Sequence, residues 1–264
     1  MKLKLIAAVA GLVLSTASHA TITTTGTVGG SDLLLNVWEQ GAAGGQPDQS
    51  FTLDLGVTFS QFVAASGSAA NLATLLSTDS TWQGFLNTSD TADAGALQWS
   101  VIASGSKVNT RPALFGTATV GSDPTTAGNA GFLLNSDLTA ANNQVNATIN
   151  NLNTAPSPNE QVAAKGSGSY YQDLSLANFN GSGFSNGNNV GATAAVWTAS
   201  NVSGGNQTAA VMNQLAGTMS FSQVNGNYVL SYNVAAVPEA PGLGMALCGL
   251  AALGFLAARR RNAA

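Results

Sequence analysis

The sequence predicts a mainly β protein, with an antiparallel sandwich-like body, one or more packed helices and an apolar segment at each end. Three observations predict this class. Short runs of β-prone residues recur along the chain and are separated by Gly, Pro and Asn. An Asn225-Gly226 pair joins two such runs near the end of the body. The stretch 138–152 has helical periodicity instead.

Five segments in the first half of the body have strand character. The clearest is 50–55, Ser-Phe-Thr-Leu-Asp-Leu, in which polar and apolar side chains alternate with period two. Gly and Pro interrupt the chain between the runs, as in 41–47. Regular short strands joined by polar turns favour a sandwich or a barrel over a parallel α/β sheet. The predicted strands are 21–28, 33–38, 50–55, 97–103 and 114–120.

A hairpin is predicted at the end of the body. The β-prone runs 219–223 and 228–234 flank Val-Asn-Gly-Asn. Asn-Gly is the strongest short hairpin signal, because both residues accept positive φ in a type I′ turn. The body has no repeat of fixed period and no clear internal boundary, so residues 21–236 are predicted to form one β-rich domain.

One helix is predicted over 138–152. Apolar side chains recur there at steps of three and four, which places them on one face. Ser136 or Asp137 can cap its N-terminus, and prolines at 156 and 158 lie beyond its end. The pattern favours an amphipathic helix packed on a sheet over a coiled-coil surface, with weaker helical patterns at 62–76 and 208–215. Its polar face consists of Asn142, Asn143, Asn146, Asn150 and Asn153.

The composition is unusually poor in charge. Only 8% of the 264 residues are charged, against roughly 25% for an average soluble domain. Segment 21–237 contains three Lys and Arg against eleven Asp and Glu, which gives a net charge of −8. An acidic body with three scattered cations cannot neutralise a run of phosphates, so a nucleic-acid partner is disfavoured.

Residues 1–20 have the pattern of a secretory signal peptide. Lys2 and Lys4 form a positive start, and an apolar run over 5–14 follows. Small residues at Ser18 and Ala20 occupy the two positions that a signal peptidase reads, which places cleavage between Ala20 and Thr21. The alternative, an uncleaved anchor, is disfavoured because the apolar run is short for a membrane span.

The C-terminus contains a second apolar segment. Residues 242–258 are seventeen residues without charge, near the lower limit for a transmembrane helix. The cluster Arg259, Arg260 and Arg261 follows at once, and by the positive-inside tendency it stays in the cytoplasm. The body is then expected on the outer side of the membrane, which agrees with the orientation that the N-terminal segment predicts.

The sequence Val237-Pro238-Glu239 stands just before the apolar segment, followed by Ala240 and Pro241. This motif, a short Gly/Ala/Leu helix and a terminal Arg cluster together resemble the PEP-CTERM sorting signal of Gram-negative bacteria. The resemblance covers residues 237–261 alone. Pro238 removes a backbone donor and favours an extended Val237, which keeps the motif accessible to an enzyme. An ordinary stop-transfer tail that stays uncut is the alternative.

The resemblance implies a route rather than an activity. Proteins with this signal are processed by exosortase, a membrane transpeptidase-like enzyme, and are typically associated with exopolysaccharide and biofilm. The partners it implies are signal peptidase, exosortase and exopolysaccharide. The localisation it implies is export through the inner membrane, transient anchoring by the C-terminal helix, and then the cell surface or the extracellular matrix.

The body lacks the residues that most catalytic sites need. The single His is His19 in the leader, and the single Cys is Cys248 in the apolar tail. The string 183–187 matches G-x-S-x-G, but a serine nucleophile needs a base that the body does not contain. The string 104–107 matches S-x-x-K without its companion motifs. The sequence therefore predicts no catalytic residues and no zinc or copper site.

Chemistry based on carboxylates stays open. A glycosidase-type pair needs no His, but the spacing of the eleven acidic residues singles out no two of them. The stretch 90–95 has two Asp and a Gly in a loop-like context, so no cofactor is expected beyond a structural calcium. Trp38, Trp82, Trp99 and Trp197 either fill the core or form a carbohydrate platform, and the core is favoured.

Three hypotheses follow for the body. The first is a non-enzymatic structural or interaction protein of the envelope or the biofilm matrix. The second is a carbohydrate- or calcium-binding module on the same anchor. The third is a surface hydrolase that works with carboxylates alone. Two carboxylates with raised pKa in a cleft would favour the third, and a row of exposed aromatic side chains would favour the second.

Overall fold

The computed structural model describes residues 22, 24, 29–39, 48–66, 73–76, 79–89, 97–108, 111–121, 123–126, 133–156, 159–167, 169–171 and 187–234. These residues form a mainly β structure, as predicted. The strands are β1 (Asp32–Glu39), β2 (Gln49–Thr58), β3 (Ala73–Leu75), β4 (Leu97–Val108), β5 (Arg111–Thr119), β6 (Glu160–Ala164), β7 (Asn188–Asn189), β8 (Thr193–Ser200), β9 (Val211–Val224) and β10 (Asn227–Val234). The helices are α1 (Phe59–Ala65), α2 (Ser80–Thr88) and α3 (Asn135–Thr154).

All described strands belong to one antiparallel sheet. The order is β3-β10-β9-β8-β5-β4-β1-β2-β6, and β7 pairs with β4 beside this path. The prediction of a sandwich is wrong in one respect, because hydrogen bonding is continuous where a sandwich has two separate sheets. The sheet curls instead. Its two halves therefore face each other across one concave side.

Ring contacts across the concave side demonstrate the curl. Trp99 of β4 and Phe221 of β9 have two strands between them in the sheet, yet their ring centroids lie 6.2 Å apart. Trp82 of α2 contacts Phe221 and also Phe51 of β2, which lies in the other half of the strand order. A single curled sheet, with α2 on its concave side, therefore encloses the aromatic core that a sandwich would hold between two sheets.

Two apolar clusters lie on opposite faces of the sheet. Strand β1 contributes Leu34 and Trp38 to one cluster and Leu33, Leu35 and Val37 to the other, in strict alternation. The first cluster also contains the apolar face of α3, and we call this side the α3 face. The second contains buried side chains of α1 and α2 and is the concave face. Strand β1 is therefore buried along all eight residues.

The predicted strands with both alternation and flanking turns are confirmed. Segments 33–38, 50–55 and 97–103 lie inside β1, β2 and β4, and 114–120 overlaps β5. The punctuation at 41–47 lies outside the described residues, as does most of 21–28. The short strand β7, which no sequence pattern predicted, pairs with Gln98 and Trp99 of β4.

The closing hairpin is confirmed in detail. Strands β9 and β10 pair from Asn227↔Val224 to Val234↔Gly217. Asn225 has φ of 52° and Gly226 has φ of 80°, which is the conformation that a type I′ turn requires. The short-range signal was sufficient here because two residues alone fix the register of the whole ladder.

Helix α3 confirms the predicted helix but not its cap. Leu134 occupies the N-cap position, and the Asp137 carboxylate reaches back to accept a hydrogen bond from the Leu134 N–H at 2.7 Å. Carbonyls of 206 and 208 accept the next two N–H groups, so a distant loop completes the cap. The polar face is also not uniformly solvated, because Asn142 is buried and accepts a hydrogen bond from Ser104 Oγ at 2.9 Å.

The weaker helical patterns have mixed outcomes. The pattern at 62–76 coincides with part of α1, which Thr58 caps, and then with β3. The pattern at 208–215 is wrong, because this segment enters β9 and pairs with β8. Backbone pairing with β8 outweighs a weak helical periodicity there. Among the described residues, no helix is both long and apolar enough to cross a membrane, and 242–258 lies outside them.

Candidate functional site

A pair of carboxylates stands at one end of the β1–β2 ladder. Asp32 begins β1, and Asp54 lies in β2 opposite Leu34. Residues directly opposite each other share a face, so Asp54 lies on the α3 face with Leu34. The register shifts between Asp32 and Leu34, which is the mark of a bulge. The fold therefore brings together two carboxylates that are 22 positions apart in the sequence.

The environment of Asp54 raises its pKa. Burial raises the pKa of Asp54 to about 6. The negative charge of Asp32 raises it further, and the hydrogen bond from the Gly56 N–H acts in the opposite direction. The Gly56 N–H donates to Asp54 Oδ1 at 2.9 Å, and Gly56 has φ of 64°, a conformation that suits glycine. Asp32 is itself 7% exposed. A carboxyl group that titrates near pH 6 can exchange a proton under mild conditions.

The polar groups beside this pair are bonded within the body. Thr52 Oγ1 donates to Asn36 Oδ1 at 2.9 Å on the same β1–β2 ladder. Ser50 Oγ accepts from the Tyr171 N–H at 3.0 Å, and Ser100 Oγ donates to the Tyr171 hydroxyl at 2.7 Å. These buried side chains tie the segment 169–171 to the sheet. Their hydrogen bonds indicate a structural use of this part of the α3 face.

Most other described carboxylates hold local structure. Asp79 caps α2 by accepting from the Trp82 N–H at 2.8 Å, and Asp137 closes the first turn of α3. Asp123 accepts from the backbone and hydroxyl of Thr125 and from the Thr126 hydroxyl. Asp48 pairs with Lys165 at 2.6 Å, and Glu160 accepts from Thr81 Oγ1 at 2.5 Å. Caps and turns are ordinary structural roles for Asp. Within the described ranges, no group of three His, Cys, Asp or Glu is placed to hold a metal ion.

The four tryptophans belong to the core, as predicted. Trp82 and Trp99 are fully buried, and Trp38 and Trp197 are 1% and 7% exposed. Trp38 packs on Tyr171 with ring centroids 4.5 Å apart. A carbohydrate platform needs rings that face solvent, so these four side chains cannot form one.

The serine motifs find no catalytic context. Ser104 of the S-x-x-K string lies in β4 and not at a helix start, and it is buried with its hydroxyl bonded to Asn142. In the G-x-S-x-G string only Gly187 is described, and the calcium candidate 90–95 lies outside the described residues.

The sorting and processing residues also lie outside the described part of the chain. They are Ala20 and Thr21 at the leader junction, Val237, Pro238 and Glu239 of the tail motif, and Arg259, Arg260 and Arg261. Their roles remain predictions from the sequence.

The Asp32–Asp54 pair was not predicted, and the local pattern explains why. In 50–55 the polar positions alternate with apolar ones, which predicts a solvated polar face for Asp54. Only the packing of other segments over that face removes its solvent.

Comparison with known proteins yields no matching family model, no matching curated protein and no matching solved structure.

Proposed function

We propose that this chain is an exported, exosortase-sorted protein of the cell surface or the extracellular matrix, with a structural or interaction role and no catalysis. A leader cut after Ala20 starts its export. The tail 237–264 anchors it transiently, until exosortase acts around Val237-Pro238-Glu239. Exopolysaccharide is the partner outside the cell.

The order of three sequence features carries the sorting part of the proposal. A short motif, an uncharged 17-residue segment and an Arg cluster follow one another at the end of a chain that begins with a leader pattern. Each feature is common alone. In this order they give one membrane orientation from both ends of the chain.

The use of polar and aromatic side chains supports the non-catalytic part. Caps, a turn, an ion pair and a side-chain hydrogen bond engage five of the described carboxylates, and the four tryptophans fill the core. The body also has a net charge of −8 spread over 21–237, which disfavours nucleic acid. A neutral polar polymer such as a polysaccharide suits a body with so little charge.

Deleting 237–264 tests the sorting route. We expect the shortened protein to appear in the periplasm or the medium without ever becoming membrane-associated, because the anchor and the motif are both gone. Cell fractionation and immunoblotting measure this. Identical fractions for the deleted and the full-length chain would exclude the proposed route.

Replacing Pro238 and Glu239 together with Ala tests the motif itself. We expect an uncut form to accumulate in the inner membrane, because the apolar segment is kept while the recognised residues are lost. Asn262→Ala, one position past the Arg cluster, is the matched control and should be processed normally. Unchanged processing of the double variant would favour a plain membrane anchor.

A carboxylate-dependent surface hydrolase is the second candidate, and the Asp32–Asp54 pair is the observation that favours it. An acid of pKa about 6 beside a second carboxylate is the type of pair that glycoside hydrolysis uses. Release of reducing sugar from the host exopolysaccharide should then be lost in Asp54→Asn and kept in Asp123→Asn. Equal release by both variants, or release by neither wild type nor variant, removes this candidate. The four tryptophans are buried, so a calcium- or carbohydrate-binding module would have to bind through the carboxylates and other polar groups of the body.

A further inference from the structure

One residue close to the predicted leader junction, Ile22, is built into the body. Ile22, the second residue after the Ala20–Thr21 bond, is 2% exposed and belongs to the apolar cluster of the α3 face. That cluster includes Val145, Ile149 and Leu152 from the buried side of α3. Such burial is unusual for a residue so close to the expected end of the mature chain, because residues at chain ends are seldom part of the core.

Asn153 holds the backbone of Ile22 from both sides. Its Oδ1 accepts from the Ile22 N–H at 2.9 Å, and its Nδ2 donates to the Ile22 carbonyl at 3.3 Å. One side-chain amide thus bonds the peptide groups on either side of Ile22 as a neighbouring strand would. The two residues are 131 positions apart in the sequence.

We propose that Ile22 and Asn153 form an N-terminal latch, which closes the mature body after the leader has been removed. This rests on the proposed export and on the cut after Ala20. The latch turns leader removal into a step of folding, because the new N-terminus becomes part of the core of the α3 face.

The sequence separation sets the order of events. A peptidase that cuts the 20–21 bond has to hold the residues beside it in an extended, accessible form. A docked Ile22 does not offer that, because its side chain is buried and its N–H and carbonyl are both bonded to Asn153. Asn153 crosses the membrane 131 residues later than Ile22, so the leader junction stays open during early export. Cleavage therefore precedes docking.

The test uses the full chain with its leader, expressed in an exporting Gram-negative host, and four variants. Asn153→Ala removes the clamp, and Asn150→Ala is its matched control on the same helix with an exposed side chain. Ile22→Ala empties the apolar position, and Ile22→Val largely refills it. The purified proteins are treated with a nonspecific aminopeptidase and followed by intact mass, and their Tm is measured separately.

We expect trimming of the wild type to stop at Ile22, with the same stop in Asn150→Ala and Ile22→Val. Asn153→Ala and Ile22→Ala should be trimmed past residue 22 and should melt roughly 5 °C or more below the wild type. Resistance to trimming together with an unchanged Tm in both of these variants would overturn the latch. The N-terminus of the purified protein is a separate readout. An N-terminus other than Thr21 contradicts the proposed leader cleavage, whereas the position at which trimming stops reports on the latch.

Discussion

Trp82→Ala is expected to lower the free energy of unfolding by about 3–5 kcal/mol, the largest effect of a single substitution that we predict. Trp82 is fully buried on the concave face. Its ring contacts Phe51, Phe85, Phe221 and Tyr228, with centroid distances of 5.0 to 5.9 Å. Truncation leaves a cavity between the two halves of the curled sheet, which cannot collapse without moving several strands. Denaturant unfolding followed by circular dichroism measures the change.

Two variants on the same helix make this experiment specific. Trp82→Phe should cost less than Trp82→Ala, because it keeps most of the ring volume and removes an indole N–H that is buried without a partner among the described residues. Gly84→Ala should raise stability by about 0.5–1 kcal/mol, since a Cβ at this exposed helical position meets no atom within 4 Å. A Trp82→Ala protein as stable as the wild type would show that the aromatic cluster does not hold the sheet closed.

The same variant separates a core role from a ligand role. If Trp82 were part of a carbohydrate platform, its loss would weaken binding to the exopolysaccharide and leave the unfolding midpoint unchanged. We expect the opposite result in both measurements. Polysaccharide pull-down at a temperature where the variant is still folded provides the comparison.

The sequence was sufficient wherever a short pattern alone determines the structure. The Asn225-Gly226 turn fixes the β9–β10 hairpin through the backbone conformation of two residues. Alternation in 50–55 places β2 with its apolar side chains toward one face. Long periodicity over 138–152 is sufficient for α3, because apolar residues at these steps have one way to be buried together.

Long-range packing explains what the sequence did not show. One curled sheet and two separate sheets have the same alternation in every strand, so no local pattern distinguishes them. The short strand β7 exists because it pairs with Gln98 and Trp99, some 90 residues earlier. The cap of α3 uses carbonyls from 206 and 208, and Asn142 is buried because Ser104 of another element meets it. Each of these facts depends on a residue that no window around the position contains.

The candidate site belongs to this second class. Neither Asp32 nor Asp54 stands out in its local sequence, since Asp32 begins β1 and Asp54 is one of the alternating polar residues of β2. Their interaction appears only when the β1–β2 ladder forms and the α3 face is covered. The processing residues are different, because the order of motifs at the two ends of the chain predicts them without any long-range contact.

Asp54→Asn is expected to remove a pH dependence of stability and to stabilise the body above pH 6. The pKa of Asp54 is about 6 in the folded chain and about 4 in the unfolded chain, so the folded state binds the proton more tightly. The contribution of Asp54 to the free energy of unfolding is therefore full below about pH 4 and is lost as the pH rises through 6. The loss is on the order of 2–3 kcal/mol before solvent screening. Asparagine keeps an oxygen for the Gly56 N–H and carries no charge, so the variant should lose this slope.

Asp123→Asn is the control with the opposite sign. Hydrogen bonds from Thr125 and Thr126 lower the pKa of the exposed Asp123, so its contribution is present at neutral pH and is lost as the pH falls through its folded-state pKa. Urea unfolding at several pH values between 4 and 8 should therefore show a flattened profile for Asp54→Asn and an unchanged slope near pH 6 for Asp123→Asn. If the slope near pH 6 persists in Asp54→Asn, another group carries it, and the Asp32–Asp54 pair is then neither the pH-sensitive element of the body nor a credible acid for the second candidate function.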